Sequence, residues 1–577
     1  MDLLQPTEPL TRRQWSAFWI LAVVCAATRF LAMAKSIWGW DEALFCLGMR
    51  SYDVSSHHPH PPGFPLFMAI GRVVRLVAGD DFRALQAVNL TAGVLLFPTL
   101  VFLARELRFP PRVAMIAAAL CAFFPNVWFF GGTALSDVPS LVLACLAAAL
   151  LLRGCRSAQS YLLGTLLLAV AIGFRPQNIL VGLAPGLIAT WHRARSSWRD
   201  VVIAATLGSA IVLGAFWFAA EATGGMERYA TSVRDHGRYI ATYDSFRSPG
   251  RPPLWRLTDR FFLLQYQSRP LSIVTSIFVL IAVVAAIRRR EKAVLYAVLT
   301  FAPVAVMTWL MLDRFSVNRF SIAYAPLFAM LAAYGITRLA GRYESVLGAM
   351  LIGAFVIWTW PALTPVRTEK SPPVRAVEAA LAQIDPARDQ LYVGFSVTPF
   401  VEYLAPQLPF VRVAEERGLP LSDGGRRAMI LAEAQGGGEG GALFRFERGH
   451  LWHITRHYYY EVALRPVGPR PLFVSGWSAP EREGQIEWRW MSGTSRVQLP
   501  RVDGPAKLRL AFDVPEAATV TITLNGQVLE RLIAAHGFVD RAYDVEGLPS
   551  NALNLETDPP RPRSLRLTSL MWGKRRP

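Results

Sequence analysis

Up to position 361 the chain alternates apolar stretches with short polar turns. Each stretch runs about 15–22 residues, close to what an α-helix needs to cross a bilayer. They fall at 15–34, 84–104, 113–131, 135–152, 160–174, 178–191, 201–220, 271–287, 293–312, 320–338 and 345–361. The pattern predicts about eleven membrane-spanning helices, with Pro62–Val77 as an interfacial helix. Beyond Pro361 the period changes. Gln390–Phe395 and Phe410–Val413 read as strands around a helix at Val401–Ala405, and Gly436–Gly441 as an exposed loop. From about 471 the alternation is strictly strand-like at Arg496–Leu499, Lys507–Phe512, Thr519–Leu524 and Gln527–Leu532, with an Asn525-Gly526 turn. The expected fold is a mainly α multi-span bundle (1–361), then an α/β segment (362–470) and a jelly-roll-like β-sandwich (471–577).

Basic residues orient the bundle. Arg12/Arg13, Arg105/Arg108/Arg112, Arg153/Arg156, Arg193/Arg195/Arg199, Arg288/Arg289/Arg290/Lys292 and Arg338/Arg342 occupy alternate short connections. The positive-inside rule puts these loops and the amino terminus in the cytoplasm and, after eleven crossings, the carboxyl terminus outside. Lys35 closes the first stretch with no small-residue cleavage pattern before it, which argues against a removable signal peptide. The opposite side receives loop 35–83, the turn at Asp137, the turn Arg175–Asn178, loop 221–270, the turn Asp313–Arg319 and everything after 361.

Composition agrees with a membrane class: 53% of residues are hydrophobic and the mean hydropathy is +0.30, despite a formal net charge of +18. The arginines lie between apolar stretches rather than on one basic face, so nucleic acid is not an expected partner and membrane lipids are. Cys25, Cys46, Cys121, Cys145 and Cys155 show no metal spacing and read as small core residues.

The outward side carries the candidate chemistry. Trp38-Gly39-Trp40-Asp41-Glu42 follows the first helix, where tryptophan favours the interface and an acid pair is costly to desolvate. His57-His58-Pro59-His60-Pro61-Pro62 displays imidazoles on a stiff segment. This suits a substrate-binding rim better than a metal site, since the spacing matches no standard ligand set. Candidate ligands for a divalent metal are Glu42, His58, His60 and Asp137. Asp137, in Ser136-Asp137-Val138-Pro139, reads as a helix N-cap that also presents a carboxylate. Arg175 and Arg319 face outward against the positive-inside trend, as ligands for a phosphate would. Trp477, Trp488, Trp490 and Trp572 are either core or sugar-stacking rings of the terminal β region.

In combination these motifs resemble the GT-C class of membrane glycosyltransferases, in the branch of protein O-mannosyltransferases and lipid A aminoarabinose transferases. The resemblance covers about 1–361. It rests on Trp40-Asp41-Glu42-Ala43-Leu44-Phe45, His60-Pro61-Pro62-Gly63-Phe64-Pro65-Leu66, Leu135-Ser136-Asp137-Val138-Pro139, Phe174-Arg175-Pro176 and Asn318-Arg319-Phe320-Ser321-Ile322-Ala323-Tyr324-Ala325-Pro326. The segment from Gly476-Trp477-Ser478 to near Leu570 resembles the carbohydrate-binding-like β-sandwich appended to some bacterial glycosyltransferases. The resemblance implies inverting transfer of a sugar from a polyprenyl-phosphate carrier to a glycan, lipid or protein acceptor, outside a bacterial inner membrane. Asp41 would be the general base, Arg175 and Arg319 would face the lipid phosphate, and Glu42 and Asp137 would orient acceptor or metal. The family's frequent lysine beside the proline pair is missing, with Arg72 or a histidine as its replacement.

A transporter should show paired repeats or broken helices at mid-membrane, and neither is evident. A lipid-linked oligosaccharide polymerase or ligase would carry its key residues in a long late loop. Here the first loop is the rich one.

Overall fold

A computed structural model describes residues 2–243, 245–248, 251–311, 317–413, 427–434, 441–452, 458–466, 471–483 and 486–574. A helix stands on each of the eleven apolar stretches, and shorter helices fill the connections. In chain order they begin with α1 (Arg12–Arg29), α2 (Trp40–Arg50), α3 (Pro65–Ala78), α4 (Asp81–Glu106), α5 (Pro111–Phe123) and α6 (Pro125–Phe130). Next come α7 (Asp137–Gly154), α8 (Ala158–Phe174), α9 (Ile179–Ser196), α10 (Trp198–Ala222), α11 (Met226–Tyr243) and α12 (Leu254–Leu263). The bundle ends with α13 (Arg269–Arg289), α14 (Lys292–Leu310), α15 (Val317–Phe320), α16 (Ala325–Ala340) and α17 (Glu344–Thr368).

Seven segments of the described residues are long and apolar enough to cross a membrane. These are Arg12–Ala32, α4, α7, α10, α13, α14 and the stretch Ser321–Leu381, which holds both α16 and α17. α5 and α8 are apolar but shorter, with 13 and 17 residues. The chain is a multi-pass membrane protein. Its interior is formed by α5, α7 and α16, whose side chains are almost wholly buried. Ile20, Leu213 and Leu280 point out of the bundle, an arrangement that hydrocarbon favours and water does not.

The two long outward loops are themselves helical, the first as expected at Pro62–Val77. Loop 35–83 folds α2 and α3. α3 packs Phe67 and Met68 inward and exposes Val73, Leu76 and Val77, the two-faced pattern of an interfacial helix. Loop 221–270 holds α11 and α12, whose amphipathic period is hidden among many arginines. Residues 436–440 of the glycine-rich segment and residues 313–316 lie outside the described residues.

The chain divides into two compact units. The first is Met1–Ala379 with Pro399–Pro406 and Phe444–Val462; the second is Ala380–Thr398, Gln407–Leu443 and Ala463–Pro577. In the second, strand Asp389–Gly394 pairs in parallel with Phe410–Val413 on one side and Arg427–Glu433 on the other. The terminal strands share one apolar core that includes Val520, Ile522, Leu510, Phe512, Leu553 and Leu555. Strict alternation through Ala518–Leu524 supplies every second residue to that core. The Asn525-Gly526 turn closes its hairpin with both residues at positive φ, 53° and 83°.

Trp477 and Trp572 pack partly buried against this core. The Trp488 and Trp490 indoles donate to one carboxylate, Glu481, at 3.3 and 3.2 Å. None of the four indoles is fully buried.

Candidate active site

Four chain segments at the ends of helices bring the outward charges into contact. Gly39 opens α2 in extended conformation, so Asp41 and Glu42 fall in the first helical turn, where the helix dipole favours carboxylates. Pro176 forces Arg175 out of helix, which ends α8 there and turns the arginine inward. Arg319 lies on the short α15, just before the 3-10 turn Ser321–Tyr324 that leads into α16.

Asp137 links the two arginines. One of its carboxylate oxygens accepts from Arg175, and the other accepts from Arg319 Nε at 3.0 Å. Arg319 turns its other face to Asp41, donating Nη1 to that carboxylate. His60 completes the group, with Nδ1 3.9 Å from Asp41. Asp137 is therefore not the helix cap that its Ser-Asp-x-Pro setting suggested. It makes no capping bond of its own in the structure, because two guanidiniums compete for the carboxylate and win.

Exposure separates the two acids. The Asp137 side chain is 3% exposed and the Asp41 side chain 25%. Asp41 is the carboxylate that a second molecule can reach. Burial alone would raise its pKa, but Arg319, His60 and Arg175 outweigh it and hold the group well below the usual carboxylate range. Burial pushes His60 down to about 4 against the pull of Asp41.

Glu42 is turned to a different task. Its carboxylate accepts the backbone N–H groups of Trp38 and Gly39, both at 2.7 Å, and of Ala134 at 2.8 Å. Only 1% of the residue is exposed. This corrects the expectation that Glu42 orients acceptor or metal: backbone amides already occupy it. It ties the start of α2 to the turn that precedes α7. Gln86 and Asn89 of α4 fix the same turn by donating to the carbonyls of Gly132, Phe130 and Thr133. Gly132 is obligatory there, since a Cβ would lie 1.7 Å from the Ala32 carbonyl oxygen. Glu42→Gln should lower stability by about 1–3 kcal/mol, because the amide NH2 would oppose at least one of the three N–H donors. Thermal unfolding of the two purified proteins checks this; equal midpoints would show that the three bonds contribute nothing.

The histidine loop is held from several sides. Phe45 and Phe64 flank His60 with ring centres 5.5 and 4.9 Å away, and Arg175 lies over the other aromatic neighbour, Phe64, at 5.5 Å. Gly63 has no room for a side chain, with Tyr52 Oη 2.4 Å from where its Cβ would be. His58 Nε2 lies 3.3 Å from Glu402 of the segment Thr398–Leu404. His57 faces His236 of α11, with ring centres 6.1 Å apart.

The metal ligands suggested by sequence are not gathered. Glu42 is bound to amides, Asp137 to arginines and His58 to Glu402. Among the described residues no group of three His, Cys, Asp or Glu side chains is placed to hold an ion. Arg72 is also engaged elsewhere, donating to the Gly48 carbonyl at 3.1 Å.

Residues 58–218 match the family described as dolichyl-phosphate-mannose-protein mannosyltransferase. Apo ArnT from Cupriavidus metallidurans aligns with a TM-score of 0.51 at 12% identity, covering 78% of this chain and 98% of that one. The chain is a membrane glycosyltransferase. Two further solved structures are similar to it. ArnT bound to undecaprenyl phosphate gives 0.48 at 12% identity, over 78% of this chain and 98% of that one. The oligosaccharyltransferase of Archaeoglobus fulgidus with zinc and sulfate gives 0.46 at 9%, over 96% and 97%. No curated protein matches the chain.

In this glycosyltransferase the matched segment contains His58, His60, Asp137 and Arg175, while Asp41 and Arg319 lie on either side of it. Sequence reasoning missed His236 and Glu402. His236 is the one histidine of the outward loop 221–270, and that was the available signal. Nothing local marks Glu402, which reaches the helical unit from beyond residue 361.

Proposed function

We propose that the chain transfers a sugar, with inversion, from a polyprenyl-phosphate carrier to an acceptor on the outer face of a bacterial inner membrane. The family matched over 58–218 is described by a sugar donor of this type. The observation that carries the reading is a reachable carboxylate, Asp41, paired with a guanidinium that a phosphate can draw away.

In this proposal Arg319 and Arg175 receive the donor phosphate. Phosphate ester is a leaving group that needs cationic stabilisation more than a proton. As Arg319 turns to it, Asp41 loses the partner that depresses its basicity and can take the acceptor's hydroxyl proton. The acceptor oxygen bonds to the anomeric carbon, the carbon–phosphate-oxygen bond breaks, and its electron pair stays on the phosphate. Asp137 is the anchor that keeps both guanidiniums at the site. His57 and His60 line the acceptor side, and His58 holds the loop through Glu402.

The topology proposed with it has eleven crossings and a cytoplasmic amino terminus. Residues 362–470 and the carbohydrate-binding-like 471–577 are then periplasmic. The six basic connections on the other side support that orientation.

Undecaprenyl phosphate titrated onto the purified chain in nanodiscs is expected to bind. Arg175→Lys and Arg319→Lys should each weaken it about tenfold, or about 1.4 kcal/mol, because a point charge cannot reproduce the planar fork. Unchanged binding by both variants would overturn the phosphate assignment.

A further inference from the structure

Asp41 divides its two oxygens. Oδ2 accepts from Arg319, while Oδ1 faces His60, whose Nδ1 lies 3.9 Å away. That nitrogen is buried, and among the described residues it has no hydrogen-bond partner. The gap exceeds a hydrogen bond, and a shift of about 1 Å would close it. Buried polar atoms are nearly always paired, so an unpaired one beside a reachable carboxylate calls for an explanation.

The surroundings narrow what Nδ1 can serve. The imidazole packs against Phe45 and Phe64, whose rings offer it no donor. A metal ion would occupy the nitrogen, yet among the described residues no set of three ligands is gathered to hold one. The other charged or titratable groups that bear on His60 are Arg319, His236 and Arg175. An arginine keeps its protons and can neither supply nor accept one. His236 lies a ring away, with 6.0 Å between centres. Asp41 is the group placed to exchange a proton with Nδ1.

Basicity sets the direction. Burial raises Asp41, but Arg319, His60 and Arg175 prevail and hold it well below the carboxylate range. Burial pushes His60 down, yet only to about 4. A proton that reaches Asp41 therefore runs on to the imidazole. The reaction also favours a cation at that place. As the sugar leaves, the lipid phosphodiester becomes a monoester with one more negative charge, which stabilises a positive group close by.

We propose that His60 is the second proton acceptor of the reaction: Asp41 Oδ1 takes the hydroxyl proton and passes it to His60 Nδ1, and the imidazolium holds it beside the outgoing lipid phosphate. This rests on the reading of Asp41 as the base and of Arg175 and Arg319 as phosphate ligands. The acceptor's O–H bond breaks as its oxygen bonds to the anomeric carbon. The phosphate keeps the electron pair of the broken carbon–oxygen bond, and the proton ends on nitrogen. It passes to water when the lipid departs, since 12% of the His60 side chain is exposed.

The test counts protons. Undecaprenyl phosphate, standing for the lipid product, is titrated onto the full chain in nanodiscs at about pH 6.5, the ordinary pKa of imidazole. Calorimetry in two buffers of different ionisation enthalpy reads the uptake. The wild type should take up at least about half a proton per lipid more than His60→Gln. Asp41→Asn should bind the lipid with the same deficit, because an amide no longer stabilises a proton on Nδ1. Equal uptake by wild type and His60→Gln overturns the relay and leaves the donor assignment standing. Full uptake by Asp41→Asn overturns it as well, by placing the proton elsewhere. A wild type that binds no undecaprenyl phosphate overturns the donor assignment, and the relay falls with it. If His60→Gln does not fold, the wild type decides alone. Its imidazole nitrogen resonances should show one ring becoming imidazolium as the lipid binds, and no such change in any of the nine histidines overturns the relay.

Discussion

Asp41→Asn is expected to lower sugar transfer by about 10²–10⁴-fold, the usual loss when a positioned general base is removed. The swap keeps the shape of the side chain and removes its charge. Arg319 retains Asp137 at 3.0 Å, so the fold should survive. Freed from Asp41, Arg319 should hold undecaprenyl phosphate at least as tightly as in the wild type. The measurement is transfer of labelled sugar from a polyprenyl-phosphate donor, with phosphate binding alongside. Wild-type turnover by the variant would remove Asp41 from the reaction.

The second large effect is on stability. Asp137→Ala strips the acid that joins two guanidiniums, one of which, Arg175, is 9% exposed in its side chain. Removing one partner of a buried ion pair strands the other charge and typically costs about 3–5 kcal/mol. Thermal unfolding should shift accordingly. Arg175→Met in the same protein should recover part of the loss, because an apolar side chain has no charge to strand. No shift in the single variant would mean that water already screens the pair.

The sequence carried part of this arrangement in readable form. The alternation of basic connections puts Asp41, Asp137, Arg175 and Arg319 on one side of the membrane, and the apolar period places the helices that bear them. Which of them touch is decided by how the helix ends converge, and no local period encodes that. Asp137 shows the difference: its neighbours signal a cap, and two arginines distant in sequence claim it instead. Glu42 was unreadable for another reason. Its partners are backbone amides, which every residue carries and which leave no mark on the sequence. His236 required α11, and the helical period of that segment is masked by its arginines.

Two carboxylates and two guanidiniums make the cluster neutral. A neutral cluster projects almost no field beyond a Debye length, so it does not gather anionic lipids from a distance. Recognition of the carrier then depends on contact geometry once the lipid has diffused along the leaflet. Its affinity should vary little with ionic strength, unlike that of a protein that draws anions in with an open basic patch.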